Sequence, residues 1–385
     1  MSDWKEYLLG ELLQLQRGFD ITTKEQQPGN VPVISSSGIT SYHKKAMVQG
    51  PGVITGRKGS LGKVHFVQSD YWPHDTTLWI KDFKGNNPKF LYYLLQQIHL
   101  ENYDVGASNP TLNRNHLHKI KLNCPPPPIQ QKIAAIISAY DDLIENNNKR
   151  IALLEKAADE IYREWFVRMR FPGWERVKFE KGVPEGWEVI ELGKTIKLTM
   201  GQSPSSEFYN ESGDGLPFHQ GVGTYGERFP KNKIFCSVPG RMAKKGDILF
   251  SVRAPVGRLN IADCDLIIGR GLAAMRHKEN KNSYLYYLLK YLFAEEDRIG
   301  NGAIFASVSK DELQKFKILN PEMSLIDQFE NYVSKIDRQI ENLYRSNAGL
   351  IKSRDLLLSR LISGKLPVDD LDIRFPPSME GERAG

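Results

Sequence analysis

The side chains in this sequence best suited to act on another molecule are basic residues set on glycine turns. Arg57, Lys58 and Lys63 flank Gly56, Gly59 and Gly62, while Arg241, Lys244, Lys245, Arg253 and Arg258 bracket Gly240, Gly246 and Gly257. Glycine lets a backbone approach a phosphate that arginine and lysine neutralise, and an arginine fork also reaches the edge of guanine. Neighbouring runs add hydroxyl, amide and aromatic groups suited to base edges: Ser35-Ser36-Ser37-Gly38 with Tyr42 and His43, and His219-Gln220-Gly221 with Thr224 and Tyr225. The candidate nucleic-acid contacts are therefore Ser36, Ser37, Tyr42, His43, Arg57, Lys58, Lys63, Gln220, Thr224, Tyr225, Lys244, Lys245, Arg253 and Arg258.

Catalytic readings fail at the level of spacing. Gly221-Val222-Gly223-Thr224-Tyr225-Gly226 has the letters of a dinucleotide fingerprint but runs into Glu227-Arg228-Phe229-Pro230 rather than a helix. In Gly56-Arg57-Lys58-Gly59-Ser60-Leu61-Gly62-Lys63 the lysine precedes Val64, so a P-loop is excluded. Asn123-Cys124-Pro125-Pro126 lacks the aromatic residue of amino-methyltransferases, and no glycine-rich methyl-donor loop accompanies it. His116 and His118 have no acidic partner at metal-ligand spacing, and Cys124, Cys236 and Cys264 have no paired spacing, so neither a metal site nor a disulfide is expected.

Positioning such loops requires a larger frame, and the chain supplies it twice. Trp4-Lys5-Glu6-Tyr7-Leu8-Leu9-Gly10 is echoed by Trp187-Glu188-Val189-Ile190-Glu191-Leu192-Gly193, and Phe90-Leu91-Tyr92-Tyr93-Leu94-Leu95 by Tyr284-Leu285-Tyr286-Tyr287-Leu288-Leu289. Farther along, Leu117, Lys119 and Lys121 recur as Leu313, Lys315 and Lys317, then Asp141, Ile144, Glu145 and Asn146 as Asp337, Ile340, Glu341 and Asn342. The offset grows from 183 to 196, so insertions lie early in each repeat, and a period this long means one module duplicated rather than a solenoid. The first part of each repeat is rich in glycine, proline and short β-branched runs, the signature of a mixed, largely β globule, with one helix expected around 88–101 and 282–294.

After the prolines at 125–128, and again after Pro321, the pattern turns helical. Ile133, Ile137, Tyr140, Ile144, Asn147, Ile151, Leu154, Ala158, Ile161 and Trp165 follow a strict 4-3 spacing, as do Phe329, Val333, Ile336, Ile340, Leu343, Asn347, Leu350, Arg354, Leu357 and Leu361. Such a seam specifies a coiled coil of roughly 48 Å at about 1.5 Å per residue. In an antiparallel pair with full overlap, Asn147 meets Asn347, a polar contact that would fix register. Arg354 interrupts the seam and is expected to snorkel or meet an acid.

The charge of +6 over 385 residues is uneven: +4 for residues 1–128, zero for 129–170, +4 for 171–320 and −2 for 321–385. Two basic blocks invite a polyanion at two places. With 40% hydrophobic residues and no long apolar run, the chain reads as a folded cytoplasmic protein.

The arrangement resembles the specificity subunit of Type I restriction-modification systems. The likeness lies in Trp4–Gly10 and Trp187–Gly193, Gly201-Gln202-Ser203-Pro204 before Tyr209-Asn210, Leu216-Pro217-Phe218, Pro127-Pro128-Ile129-Gln130-Gln131-Lys132-Ile133, Trp165-Phe166-Val167 and Leu361-Ile362-Ser363-Gly364-Lys365-Leu366. It implies a non-catalytic DNA-binding adaptor of α+β class. Two target-recognition globules, at 1–128 and 171–324, would be separated by helices at 129–170 and 325–366 in an antiparallel coiled coil with pseudo-two-fold duplication, followed by a flexible tail at 367–385. The resemblance further implies an asymmetric bipartite DNA site, two methyltransferase subunits docked on the helices and two restriction subunits. It implies no cofactor on this chain, S-adenosylmethionine and ATP with magnesium belonging to the partners. A stand-alone DNA- or RNA-binding coiled-coil scaffold is the alternative.

Overall fold

In the computed structural model, which describes residues 4–106, 110–293, 298–299, 303–304 and 307–379, with 298–299 and 303–304 as backbone alone, the duplication is drawn in strand order. The first repeat lays down β1 (Lys5–Leu8), β2 (Gln14–Arg17), β3 (Val31–Ser35), β4 (Gly38–His43), β5 (Gly52–Gly56), β6 (Val64–Val67), β7 (Trp72–Pro73) and β8 (Thr77–Asp82). Helix α1 (Pro88–Gln97), strand β9 (Lys121–Cys124) and the long helix α2 (Pro127–Tyr162) follow. The second lays down β10 (Glu188–Glu191), β11 (Ile196–Met200), β12 (Leu216–His219), β13 (Ile248–Ser251), β14 (Leu259–Ile261), β15 (Leu266–Ile268) and β16 (Leu272–His277). It ends with α3 (Asn282–Leu292), β17 (Lys317–Asn320) and α4 (Met323–Ile362).

Each repeat closes its first strand on its last, β1 on β9 and β10 on β17. Each builds an antiparallel four-stranded sheet in the same order, β2-β8-β5-β6 and β11-β16-β13-β14. Each also pairs one strand in parallel, Val33 with Trp72 in the first repeat and Phe218 with Ile267 in the second. The ladders place the main insertion of the second repeat between these strands, where short strands lie at 235–236 and 242–243, and a further short strand at 209–210 precedes β12.

Burial explains the strand sequences. β5 lies between β8 and β6 beneath α1 and is buried at every residue, which is why Gly52-Val53-Ile54-Thr55-Gly56 shows no polar alternation. Asn87 caps α1 by accepting from the Phe90 N–H, with Pro88 in the first turn. The N-terminus of α3 is met differently, by the Glu330 carboxylate accepting from the Tyr284 N–H at 3.0 Å and the Ser283 N–H at 3.3 Å.

The chain divides into two compact units, residues 1–149 with 344–385, and residues 150–343. Each long helix is shared between them, because each half packs its apolar face into the core of the unit it serves. In the first unit Ile133 and Ile137 join Leu358 and Leu361 in one core with α1, and Arg354 donates to Asp141 at 2.8 Å. In the second, Trp165 and Tyr162 both set ring centroids 5.9 Å from Phe329. Within each unit the partners run in opposite directions, as an antiparallel pair requires.

Three sequence boundaries shift. Helix α2 ends at Tyr162 rather than 170 and passes into a π-turn over Arg163–Val167, whose extra residue per turn seats Phe166, 8% exposed, in the core beside the half-buried Trp165. Helix α4 ends at Ile362 rather than 366. The tail expected to be flexible from 367 is packed as far as the description extends: Val368 is 2% and Met379 0% exposed, and Lys132 donates to the Asp369 carbonyl. A second copy of a short motif accounts for this. Arg170-Phe171-Pro172, where Phe171 stacks on Trp187 with centroids 5.7 Å apart, recurs as Arg374-Phe375-Pro376, where Phe375 packs on the core that holds Trp4. Residues 380–385 of the expected tail lie outside the described residues.

Candidate nucleic-acid interface

The loop from Arg57 to Lys63 joins β5 to β6, and the loop from Val252 to Arg258 joins β13 to β14. Hydrogen bonds make them one structure drawn twice. Gly56 N–H donates to the Lys63 carbonyl at 3.2 Å and Ser251 N–H to that of Arg258 at 3.0 Å; Arg57 N–H donates to Thr76 at 2.8 Å and Val252 N–H to Gly271 at 2.9 Å. Lys58 bridges to Thr111, and Arg253 to Ser307. Lys58 thus corresponds to Arg253 and Lys63 to Arg258, and all four are exposed. Lys58, Lys63 and Arg253 have no carboxylate partner among the described residues, which leaves their charge available to a phosphate.

In the first module two further turns meet this loop. The Ser36 N–H donates to the Thr76 hydroxyl at 3.4 Å, the Ser36 carbonyl faces His65 Nε2 at 3.4 Å, and Ser37 shares a hydroxyl contact with Ser35 at 2.9 Å. Arg57 turns inward instead of outward: its Nε and Nη2 donate to the Asp75 carbonyl at 3.2 and 3.0 Å, and its side chain is only 13% exposed. Burial and the neighbouring Arg17 lower its pKa, against the opposing pull of Asp75. Arg17, Arg57 and Arg114 line one cleft of about 380 Å³ with Val105, Thr111 and Asn113.

In the second module the exposed Gln220 accepts from the Ser203 hydroxyl at 2.8 Å, and that hydroxyl accepts from the Arg270 N–H at 3.2 Å. Thr224 contacts His219 Nδ1 at 2.7 Å, while His219 Nε2 meets Asn232 at 2.9 Å. Burial lowers the pKa of His219, the Asn232 bond opposing it.

Five of the sequence candidates stand apart from these clusters. His43 is 7% exposed, accepts from the Gln27 N–H at 2.9 Å and meets Trp72 edge-on, so it serves packing. Tyr42 is exposed, but it lies at the far end of β4 from Ser37, roughly 16 Å away at about 3.3 Å per residue. Lys244 and Lys245 precede β13, at the opposite end of that strand from Arg253, and pair with Asp265 at 2.7 Å and Glu341 at 3.2 Å. Tyr225 turns its hydroxyl into the protein, where burial drives its pKa upward. Both aromatic residues at 43 and 225 sat beside polar turns in the sequence, and sequence alone gives no face to a residue in irregular structure.

Sequence reading passed over Arg17, Asp75, Arg114 and Arg270. An alignment of the turn His74-Asp75-Thr76 with Gly269-Arg270-Gly271 would have exposed two of them. Asp20, His74 and Asp75 bring ligand atoms within 4.8 Å of one another. Asp75 is already bound to Arg17 at 2.8 Å, so a cation there would have to displace a guanidinium.

The family described as the Type I restriction modification DNA specificity domain matches residues 1–156 and 184–347, one match per repeat. A protein of Methanocaldococcus jannaschii assigned as the MjaX type I restriction enzyme specificity subunit is 34% identical, over 73% of this chain and 68% of its own. The MjaIX specificity subunit of the same organism is 28% identical over 96% of this chain and 95% of its own. The crystal structure of a Type I restriction-modification S subunit from M. genitalium shares the fold with a TM-score of 0.64 at 18% identity, covering 94% of this chain and 96% of that one. Among the described residues no helix is long and apolar enough to cross a membrane. A duplicated module, a seamed helix pair and two matched domains lead to one assignment: the chain belongs to the DNA specificity subunits of Type I restriction-modification systems.

Proposed function

We propose that this chain selects an asymmetric bipartite DNA sequence in the cytoplasm, each module reading one half-site through its β5–β6 or β13–β14 loop and the adjoining turns. The chain is non-catalytic. Two methyltransferase subunits dock along α2 and α4, two restriction subunits join them, and S-adenosylmethionine and ATP with magnesium are held by those partners. The observation that carries this reading is the repeated loop in which Lys58 matches Arg253 and Lys63 matches Arg258. Identical placement of cations in two modules of different side-chain chemistry suits a constant phosphate backbone and variable bases.

The test is co-expression with a methyltransferase subunit, followed by methylome sequencing. Modified adenine in one split motif, present only with this chain and accompanied by stoichiometric co-purification of the methyltransferase, is expected. Methylation at an unsplit motif, or none that depends on the chain, would refute the proposal.

A further inference from the structure

One locus differs between the modules by a coordinated exchange of charge. The bonds Gly18 N–H to Thr77 and Gly201 N–H to Leu272 match Arg17 with Met200; the bonds His74 N–H to Ile34 and Gly269 N–H to His219 match Asp75 with Arg270. Arg57 matches Val252, as shown above. The first module therefore has an acid between two arginines, where the second has an arginine between two apolar residues.

Both arrangements present one exposed guanidinium. In the first, Arg17 is 57% exposed and its Nη2 is held by Asp75 Oδ2 at 2.8 Å, while the inward Arg57 fixes the Asp75 backbone. In the second, Arg270 is exposed and has no carboxylate partner among the described residues. Its backbone is pinned by Ser203, and the flanking Gly269 and Gly271 lie so close to Gln220 that a side chain at either would collide. A phosphate beside Asp75 would be repelled by it, whereas a neutral base edge would not. A carboxylate that steadies one side of the fork leaves the other free for two parallel acceptors.

Resting on the reading of this chain as a DNA specificity subunit, we infer that Arg17 and Arg270 are base-reading residues, one per half-site, each directed at the O6 and N7 acceptors of a guanine. Asp75 is a positioning residue for Arg17.

The experiment compares methylomes of R17A, D75N, R270A and the charge-keeping R17K and R270K, each assembled with the methyltransferase subunit, with K63A as a phosphate-type control. Co-purification and thermal unfolding establish that each complex is intact. R270A is expected to lose roughly ten- to hundredfold discrimination at one position of one half-site, and R17A the same at one position of the other. D75N should relax the R17A position to a smaller degree, and the lysine variants should keep binding strength yet relax the same bases. K63A should lower methylation with an unchanged motif. If R17A and R270A behave like K63A, the arginines contact phosphate and the inference is overturned; an unaltered methylome overturns it equally. A wild-type complex that leaves no split motif would overturn the functional reading as well, which separates the two failures.

Discussion

The Asn147 side-chain amide donates to the Asn347 carbonyl oxygen at 2.8 Å, and Asn347 in turn donates to Asn148 at 2.8 Å. Asn347 is 5% exposed, Asn147 is half-buried and Asn148 is exposed, so the amide cluster runs from the seam of the helix pair out to solvent. Replacing Asn347 with Leu takes the acceptor from the half-buried Asn147 amide, while the exposed Asn148 turns to solvent, which should cost about 1 kcal/mol. The N147L/N347L double variant should recover that loss while relaxing the register that a buried polar pair imposes. Urea unfolding checks the first expectation, and cysteine crosslinking between α2 and α4 checks the second. Single and double variants unfolding alike would argue that the contact has no energetic role.

The asparagine pair shows how much could be read in advance. A seam of 3.5-residue period carries its own register arithmetic, so helix direction and this contact were both legible, as was the duplication. The globule interiors were legible only as texture, because β-strand pairing is set by distant residues. Nothing near Val33 announces a parallel partner at Trp72. For the same reason His43 and Tyr225 looked like surface groups, and Arg270 was overlooked until the ladders matched it with Asp75. The packed tail was missed because Arg374-Phe375-Pro376 is too short a repeat to stand out, and its meaning lies in what Phe375 covers.

Arg228 offers a sharper test of burial. It is 1% exposed, with Nη2 beside Asp337, Nη1 3.4 Å from Glu155 and its guanidinium 4.6 Å from the Tyr286 ring centroid. Burial alone would weaken its charge, but Asp337 and the two tyrosines more than compensate and raise its pKa. Removing it leaves Asp337, whose side chain is 19% exposed, with the Tyr287 hydroxyl at 3.1 Å but no guanidinium, so Arg228→Ala should destabilise the second unit by about 3 kcal/mol. Lysine should not rescue it, since a compact ammonium cannot bridge both acids and stack on Tyr286. The first repeat supplies the control: Asp141, the counterpart of Asp337, is paired with Arg354, whose side chain is 28% exposed. Arg354→Ala should therefore cost distinctly less. Equal losses by calorimetry would contradict the weight placed on burial.

Stability should fall in mild acid. Burial lowers the pKa of His65, His118, His219 and His277 from an ordinary 6.5. In the unfolded chain these rings take up protons near 6.5, whereas in the folded chain they resist, so falling pH favours the unfolded state. The thermal midpoint should hold above about pH 7 and drop progressively through pH 6 and 5. His219→Gln removes one of these titrations while keeping an amide near Asn232, and should flatten the drop between pH 7 and 5. An unchanged slope in that variant would exclude His219 as a contributor.

The proposed phosphate contacts have a salt signature. Each lysine or arginine that neutralises a phosphate contributes roughly 0.9 to the slope of log affinity against log salt. K63A and R253A should each reduce that slope by about one and leave the preferred sequence unchanged. Lys244→Ala should reduce it by less, because Lys244 already faces Asp265 at 2.7 Å. Binding titrations at several salt concentrations decide this, and equal slopes for all three variants would place the backbone contacts elsewhere.

A final expectation concerns the helices as a spacer. One heptad adds about 10 Å of helix, close to three base pairs at roughly 3.4 Å per pair. Because α2 and α4 pair in opposite directions, the insertion must be made in both. Seven residues next to the Asn147 and Asn347 layer would preserve the seam, so the core on either side keeps its partners. The modified motif should then keep both half-sites and widen its unread gap by about three base pairs. Four added residues, by contrast, would break the 4-3 spacing and rotate one segment of each helix relative to the next. That variant should lose assembly or site recognition rather than show a gap change of about two base pairs. A methylome in which the heptad variant retains the original gap would remove the helices from any role in spacing and leave the half-site distance to the loops alone.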